Sequence, residues 1–219
     1  MGMSMRMFRT WVLMLAASLA SSVAPAAPLT RQQALAAIDH PQASTRRAGV
    51  ARLVEIGAMA DADRLHRRLW DPDPQVRSDA DAALWKIWSR SGDPAIDKLF
   101  WHGIGQMQAS RLDDALAAFN EVLRRKPEFA EGWHKRAIVH FLQGQHDQAL
   151  ADCDEALKRN RSHFGALSGA GQIHLRLGHA QRALEFFRRA VAINPNLQGP
   201  ARLIPRLEEH VRDLHRQMI

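Results

Sequence analysis

The chain has 219 residues, of which 46% are hydrophobic, a share too high for a chain that is disordered along its whole length. Lysine and arginine (30) exceed aspartate and glutamate (23), which gives a formal net charge of +7. The single cysteine, Cys153, excludes an intramolecular disulfide framework, so packing must hold the fold together. This length suits one or two domains, or an elongated repeat array.

Residues 1–26 have the composition of a secretory signal peptide. Arg6 and Arg9 precede an apolar run over residues 11–20, and a small-x-small motif ends at Ala26. We predict cleavage after Ala26 and a periplasmic or secreted mature chain, with an uncleaved anchor as the alternative. Cleavage removes two arginines and no acidic residue, which lowers the formal charge from +7 to +5.

Two segments between residues 27 and 94 share a pattern at a spacing of 31 residues. The matching positions are His40 with Asp71, Pro41 with Pro72, Arg46 with Arg77, and Leu53 with Leu84. In the clearer copy, residues 65–87, a predicted helix is followed by a turn with aspartate and proline, and then by a second helix with inward apolar residues. This pattern resembles the HEAT repeat and predicts two HEAT-like units over residues 27–94.

From residue 95 onward, residue types recur every 34 positions. The columns are Leu99/Trp133/Leu167, Gly103/Ala137/Gly171, Ala115/Ala149/Ala183, Phe119/Cys153/Phe187 and Val122/Ala156/Ala190. A period of this length is typical of helix–turn–helix arrays, and the pattern resembles the tetratricopeptide repeat family. It predicts three such repeats over residues 95–198, each a pair of antiparallel helices.

Small residues in these columns allow the two helices of a pair to approach closely. Gly144 and Gly178 stand where a first helix needs a left-handed cap, and Pro127 and Pro195 stand where a second helix stops. The first repeat departs from this pattern with a serine, Ser110, in the glycine column. We therefore expect a less regular loop there.

Residues 199–219 predict a C-terminal helix that caps the last repeat. Its apolar stripe consists of Leu203, Leu207, Val211 and Leu214. The predicted fold class is all-α: an α-solenoid of antiparallel helix pairs with two HEAT-like units, three tetratricopeptide units and this capping helix. We expect the units to run as one continuous solenoid in which neighbours share their apolar faces.

The acidic pairs and the histidines do not predict a reaction centre. Asp71 and Asp113 suit helix starts, where a carboxylate is favoured. Residues 71–82 fail as a calcium loop, because Val76 and Ala82 stand where such a loop needs glycine and glutamate. His140 and His174 share one repeat column, which indicates packing, and Cys153 lies in another packing column. We predict no catalytic residue, no metal site and no cofactor, and therefore a protein that is not an enzyme.

The resemblance to tetratricopeptide repeats implies a ligand groove along the first helices of the repeats. The residues predicted to line it are Phe100, Ile104, Met107, Glu131, His134, Ile138, Phe141, Gln172 and Leu175. The subset of the family that grips a chaperone's terminal carboxylate uses lysine, asparagine and arginine in such columns. Here Phe100, Ile104, Gly165 and Gly169 stand there instead, which argues against that mode.

The apolar floor of the predicted groove favours a protein or peptide ligand, either an amphipathic helix or a hydrophobic segment. The alternative is that the N-terminal units or the C-terminal helix cover this surface. The predicted function is an exported, non-catalytic interaction scaffold, with an accessory or assembly subunit of an envelope enzyme or secretion complex as the alternative. Its positive charge suits peripheral contact with an anionic membrane, whereas export argues against nucleic acid.

Overall fold

The computed structural model describes residues 27–217, except for the side chain of His215, and over that span the chain is all-α. The predicted signal peptide, residues 1–26, lies outside the described residues. A 3₁₀ turn at Met59–Asp61 interrupts a succession of eleven α-helices: α1 Arg31–Ala37, α2 Ala43–Ile56, α3 Ala62–Arg68, α4 Pro74–Trp88, α5 Pro94–Gln108, α6 Leu112–Arg125, α7 Ala130–Leu142, α8 His146–Arg159, α9 Phe164–Arg176, α10 Ala180–Ile193 and α11 Gln198–Gln217. The all-α prediction is confirmed. In the part of the chain described, each helix is too short or too polar to cross a membrane.

Side-chain caps and prolines start the helices on either side of the turn at residues 89–93. Asp73 accepts hydrogen bonds from the backbone N–H groups of Gln75 and Val76 at 2.9 Å, and Asp93 caps α5 in the same way. A proline follows each cap, where its missing N–H costs no helical hydrogen bond. The prediction that Asp71 caps this helix is wrong, because Asp71 is buried and forms a bidentate ion pair with Arg46 at 2.8 and 2.6 Å.

Helices α5/α6, α7/α8 and α9/α10 form three hairpins that stack in series, and α11 packs against α10. In the first and third hairpins, a glycine of the first helix packs against a phenylalanine of the second. A Cβ added at Gly171 would lie 2.6 Å from the ring of Phe187. The small residue therefore lets α9 rest directly on a fully buried aromatic ring. On α11, Leu207 is buried against α10, whereas the predicted stripe residue Leu214 is 43% exposed.

The turn between the two helices of each hairpin requires a left-handed residue. Gly144 and Gly178 adopt φ of 77° and 76°, and Ser110 adopts φ of 58° at the same position of the first hairpin. A side chain is disfavoured in this conformation, whereas glycine adopts it freely.

Replacing Ser110 with glycine is therefore expected to stabilise the protein by about 0.5–1 kcal/mol, as measured by urea denaturation. The reciprocal change Gly144→Ser serves as a control and should destabilise the protein by a similar amount. A Ser110→Gly variant that is less stable than the parent would show that the serine makes a compensating interaction.

The N-terminal helices α1–α4 form their own core and join the repeats sideways. Among the described helices, α4 packs broadly against α2 and α3. In a continuous solenoid α4 would also pack broadly against α5 or α6, and it does not. Instead, Trp88 and Leu84 of α4 share a core with Phe164 at the start of α9. The expectation of one continuous solenoid is therefore wrong at this junction.

Polar contacts hold the same junction from its other side. Asn194 donates from Nδ2 to the carboxylate of Asp81 at 2.6 Å, and the guanidinium of Arg77 donates to Asn196 at 3.0 Å. Asn196 also donates to the carbonyl of Leu69 at 2.9 Å. These hydrogen bonds join the turn after α10 to the N-terminal helices, and α4 therefore lies across the second and third hairpins.

Candidate functional site

Helices α7 and α9 enclose an apolar groove of about 290 Å³, which we call the α7–α9 groove. Four of the nine predicted residues line it: His134, Ile138, Phe141 and Gln172. The others that line it are Ala137, Leu142, Cys153, Gly169 and Ile173. The α7 residues 134, 138 and 141 share one helical face, and Gly169 contributes no side chain, which leaves room between the two helices.

The residues predicted from the first hairpin do not line this groove. Phe100 is fully buried, with its ring 5.2 Å from that of Phe129 and 5.9 Å from that of Phe119, and Ile104 is 9% exposed in the same core. Met107 packs partly buried against that core. Their assignment to the groove is wrong, because α5 turns this face onto α6 and the start of α7.

At the far end of α9, Leu175 is 37% exposed and lies outside the residues that line the groove. Leu142, on α7, is 54% exposed and does line it. The apolar surface that a partner could reach is therefore concentrated at the C-terminal half of α7.

Glu131 belongs to a buried polar cluster rather than to the rim of the groove, and His134, which lines the groove, is part of the same cluster. His163 Nε2 donates to Glu131 Oε2 at 2.7 Å, and His134 Nδ1 lies 3.2 Å from the same oxygen. The ammonium of Lys135 lies 2.9 Å from Glu131 Oε1. The prediction of an accessible Glu131 is wrong, since Glu131 is 1% exposed and balanced by these groups.

The cluster keeps the carboxylate of Glu131 ionised. Burial raises the pKa of Glu131, but interaction with His134 and hydrogen bonds from His134 and His163 outweigh it, so that its pKa lies well below the ordinary value of 4.5. Burial lowers the pKa of His134 to about 4, although Glu131 opposes this shift. His134 is therefore neutral at pH 7.

The pKa of His134 predicts a dependence of stability on pH. Because the folded pKa of about 4 lies below the unfolded value of 6.5, the unfolded chain binds a proton first as the pH falls. The contribution of neutral His134 to the free energy of unfolding is therefore complete above pH 6.5 and is lost progressively from pH 6.5 towards pH 4. Urea denaturation at several pH values should show a smaller loss for His134→Gln. The remaining loss should include contributions from His66 and His174, whose pKa values burial also lowers. Identical pH profiles for both proteins would contradict this assignment.

Glu131, His134 and His163 also bring one possible metal-ligand atom each within 4.8 Å of one another. The hydrogen bonds, however, define a different use for these atoms. His163 Nδ1 accepts the backbone N–H of Ala166 at 3.1 Å, so the neutral ring carries its proton on Nε2 and donates it to Glu131. A ligating Nε2 would need that proton removed, and Lys135 would place a second cation beside the metal. The arrangement favours a hydrogen-bonded network.

Sequence reasoning missed His163, because it lies 32 residues from Glu131 and forms no local motif with it. A signal was present in the 34-residue period, where His163 shares a column with Phe129 and Leu197. A histidine in an apolar column indicates a buried ring that needs a hydrogen-bond partner.

Trp85 of α4 closes one end of the α7–α9 groove. Its ring lies 5.8 Å from that of His134 and 5.3 Å from that of Phe164, and the ammonium of Lys135 lies 5.2 Å from the ring centroid. A Cβ added at Gly165 would collide with this indole. The predicted groove position at Gly165 is thus covered by the N-terminal helices, while the stretch from Ile138 onward stays open.

Cys153 forms part of the groove floor and is 1% exposed. Burial, together with the nearby charges of Asp152 and Asp154, raises the pKa of its thiol to about 12. The thiolate that nucleophilic chemistry requires is therefore scarce at neutral pH. The side chain serves here as a small apolar surface.

Comparison with known proteins agrees with this architecture. The sequence profile described as Tetratricopeptide repeat matches residues 102–161 and 135–197. A TPR repeat-containing protein of Rhizobium etli is 30% identical over 123 residues, which are 56% of this chain and 60% of that protein. The chain thus spans less than two thirds of that relative.

Solved structures share the fold at low sequence identity. The first TPR of Spaghetti (RPAP3), bound to an HSP90 peptide, is 20% identical with a TM-score of 0.52, over 53% of this chain and 93% of that one. The Sgt2 TPR domain from Aspergillus fumigatus is 20% identical with a TM-score of 0.53, over 57% and 83%. The profile match, the stacked hairpins and the 34-residue columns together show tetratricopeptide repeats over residues 102–197, and the solved structures share that fold.

Proposed function

We propose that this chain is a non-catalytic interaction module that binds an apolar segment of a partner protein in the α7–α9 groove. The observation that carries the proposal is the open apolar surface of Ile138, Phe141 and Leu142 beside Gln172. The fold supports it, because a related TPR domain has been solved with a peptide bound. Contiguous apolar surface that stays exposed to water commonly marks an interaction site.

The shape of the groove favours a short amphipathic helix as the ligand. Trp85 blocks the end at Gly165, so an extended strand could not run along the whole of α7 and α9. A cavity of about 290 Å³ accommodates a few side chains rather than a long segment. Two bulky apolar residues one helical turn apart would fill it while their polar neighbours stay in water.

The compartment forms a second part of this proposal. The composition of residues 1–26 supports export to the periplasm or beyond, where the partner would be an envelope or secreted protein. Intact-mass analysis of the protein purified from the periplasm of an expressing bacterium should give a chain that begins at Ala27. Retention of the full-length mass in the cytosol would contradict export.

The groove can be tested with peptides selected by phage display against the purified chain and measured by fluorescence anisotropy. Selected peptides should carry an apolar pair three or four residues apart. Ile138→Asp should weaken their binding by about tenfold or more, because it places a charge on the apolar floor. The matched control is Leu214→Asp, an equally drastic change at an exposed leucine on α11, which should leave binding unchanged.

Circular dichroism and urea denaturation of both variants separate loss of binding from loss of fold. Peptides without an apolar pair, or equal binding to the parent and to a folded Ile138→Asp variant, would contradict the proposed ligand. The same result with Phe141→Asp would exclude the groove as the binding site.

A further inference from the structure

A second cavity, of about 320 Å³, lies between the N-terminal helices and the first two hairpins. Trp88 at the end of α4, Lys126 after α6 and Asn160 after α8 contribute to its walls, together with the first residues of α7. We call it the junction cavity. It is separate from the α7–α9 groove: Glu131 lines the junction cavity, whereas His134 lines the groove.

Two buried hydrogen-bond donors at the junction cavity lack an acceptor within residues 27–217. These are the indole Nε1 of Trp88, which is 3% exposed as a residue, and the side-chain Nδ2 of Asn160, which is 8% exposed. Buried N–H groups are nearly always paired, because burial without a partner costs the lost hydration. Two such donors beside one cavity indicate that the cavity suits a ligand with acceptor oxygens.

The repeat itself shows which acceptor this position takes. Asn160 and Asn194 are separated by one 34-residue period, and each accepts from the backbone N–H two residues later, at 3.1 and 3.0 Å. The Nδ2 of Asn194 donates to the carboxylate of Asp81 at 2.6 Å. The equivalent Nδ2 of Asn160 faces the same junction one repeat earlier, where α4 supplies no acid. A carboxylate bound in the junction cavity would complete the pattern.

The charges around the cavity also favour an anion. Lys126 is the member of this column in the first hairpin, and its ammonium lies 3.6 Å from the exposed carboxylate of Glu128. The charge of Glu131 is balanced by Lys135. The guanidinium group of Arg90, also in the cavity wall, donates to the backbone carbonyls of Gly57 and Val54, whereas that of Arg159 is paired with the carboxylate of Glu155 at 2.5 Å.

The start of α7 adds backbone donors at the same place. Its N-cap, Phe129, has no side-chain group to accept from the first turn, and Ala130 lies in the cavity wall. The first N–H groups of a helix lack partners within the helix and favour negative charge.

We propose that the junction cavity binds a carboxylate group, with Asn160 Nδ2, the ammonium of Lys126 and the indole N–H of Trp88 as its donors. The carboxylate is that of a small organic acid or of an acidic side chain on a protein. This site goes beyond the groove that we propose for apolar segments. A carboxylate bound here would contact α4 and the residues that follow α6 and α8 at once, so its binding would strengthen the attachment of the N-terminal helices to the repeats.

Isothermal titration calorimetry at low, constant ionic strength tests the proposal with two probes. Sodium succinate represents a free acid, and a blocked pentapeptide with one central aspartate represents an acidic side chain. We expect saturable binding of at least one probe. Binding of succinate alone identifies the small-acid source, and binding of the peptide alone identifies the protein source. Sodium chloride at equal ionic strength should produce no saturable signal.

Three variants remove the proposed donors one at a time. Lys126→Met, Trp88→Phe and Asn160→Asp should each weaken binding by about tenfold or more, since each removes a donor and Asn160→Asp adds a repelling charge. Trp88→Phe keeps an aromatic ring against His163, and Asn160→Asp keeps the oxygen that accepts from Ser162. The matched control is Lys98→Met, which removes an exposed lysine on α5 and should leave the affinity unchanged.

Absence of saturable binding by both probes to the parent protein would overturn the proposal. So would equal affinities of the parent, Lys126→Met and Trp88→Phe proteins whose circular dichroism matches that of the parent. A loss in Lys98→Met as large as that in Lys126→Met would also overturn it, because the anion would then respond to overall charge.

Discussion

Replacing Glu131 with leucine is expected to lower the free energy of unfolding by about 3 kcal/mol. The substitution leaves the ammonium of Lys135 without its carboxylate and leaves two buried imidazoles without an acceptor. Removing one partner from a buried ion pair is far more costly than the pair itself is stabilising, because the remaining groups have lost their hydration. Urea denaturation followed by circular dichroism at pH 7.5 measures the change.

Glu185→Leu is the matched control, since Glu185 is an exposed acid on α10 with one ion pair, to Arg182, at 3.3 Å. That variant should have nearly the stability of the parent, because exposed ion pairs contribute little. If the two variants unfold at the same urea concentration, the cluster around Glu131 does not hold the fold as we describe.

Phe164→Ala is expected to cost about 3–5 kcal/mol, the range for a large aromatic side chain removed from a packed core. Phe164 is fully buried, and its ring lies 5.3 Å from that of Trp85 and 4.9 Å from that of Trp88. The cavity left behind would lie between α9 and α4, so the loss should fall on the attachment of the N-terminal helices. Urea denaturation gives the total effect.

Hydrogen exchange locates the effect along the chain. We expect faster amide exchange in α1–α4 of Phe164→Ala, with the exchange of α5 and α6 closer to that of the parent. Phe186→Ala is the control: its partly exposed ring stacks on His174, at 5.4 Å, in the third hairpin. It should cost less and should leave the exchange of α1–α4 unchanged. Equal acceleration of exchange throughout the chain in both variants would contradict a local role for Phe164.

These two predictions concern one junction, and that junction shapes the groove. The ring of Trp85 contacts that of His134, a neighbour of Glu131, and the ring of Trp88 contacts that of Phe164. Loosening α4 would therefore uncover Gly165 and lengthen the apolar cleft. In this respect the N-terminal helices act as the end wall of the α7–α9 groove.

The hairpins and their order could be predicted from the sequence because their determinants are local. A helix pair needs a small residue, a large one and a turn residue at separations within one repeat, and the 34-residue period shows these three times over. Even the irregular member, Ser110, adopts the left-handed conformation of its glycine counterparts. Two of the predicted groove residues, Ile138 and Phe141, line the α7–α9 groove, where Phe141 also packs partly buried against the core that contains Ala137.

The tertiary structure alone decided which apolar residues remain accessible and how the N-terminal helices attach. Ile104 and Ile138 occupy the same repeat column, but Ile104 is buried in the core of the first hairpin while Ile138 lines an open cleft. His163 meets Glu131 across 32 residues and Trp85 meets Gly165 across a longer stretch, pairings that no short-range pattern encodes. The physical reason is that helical periodicity specifies which face of a helix is buried, whereas the identity of the surface that covers it depends on the packing of the whole chain.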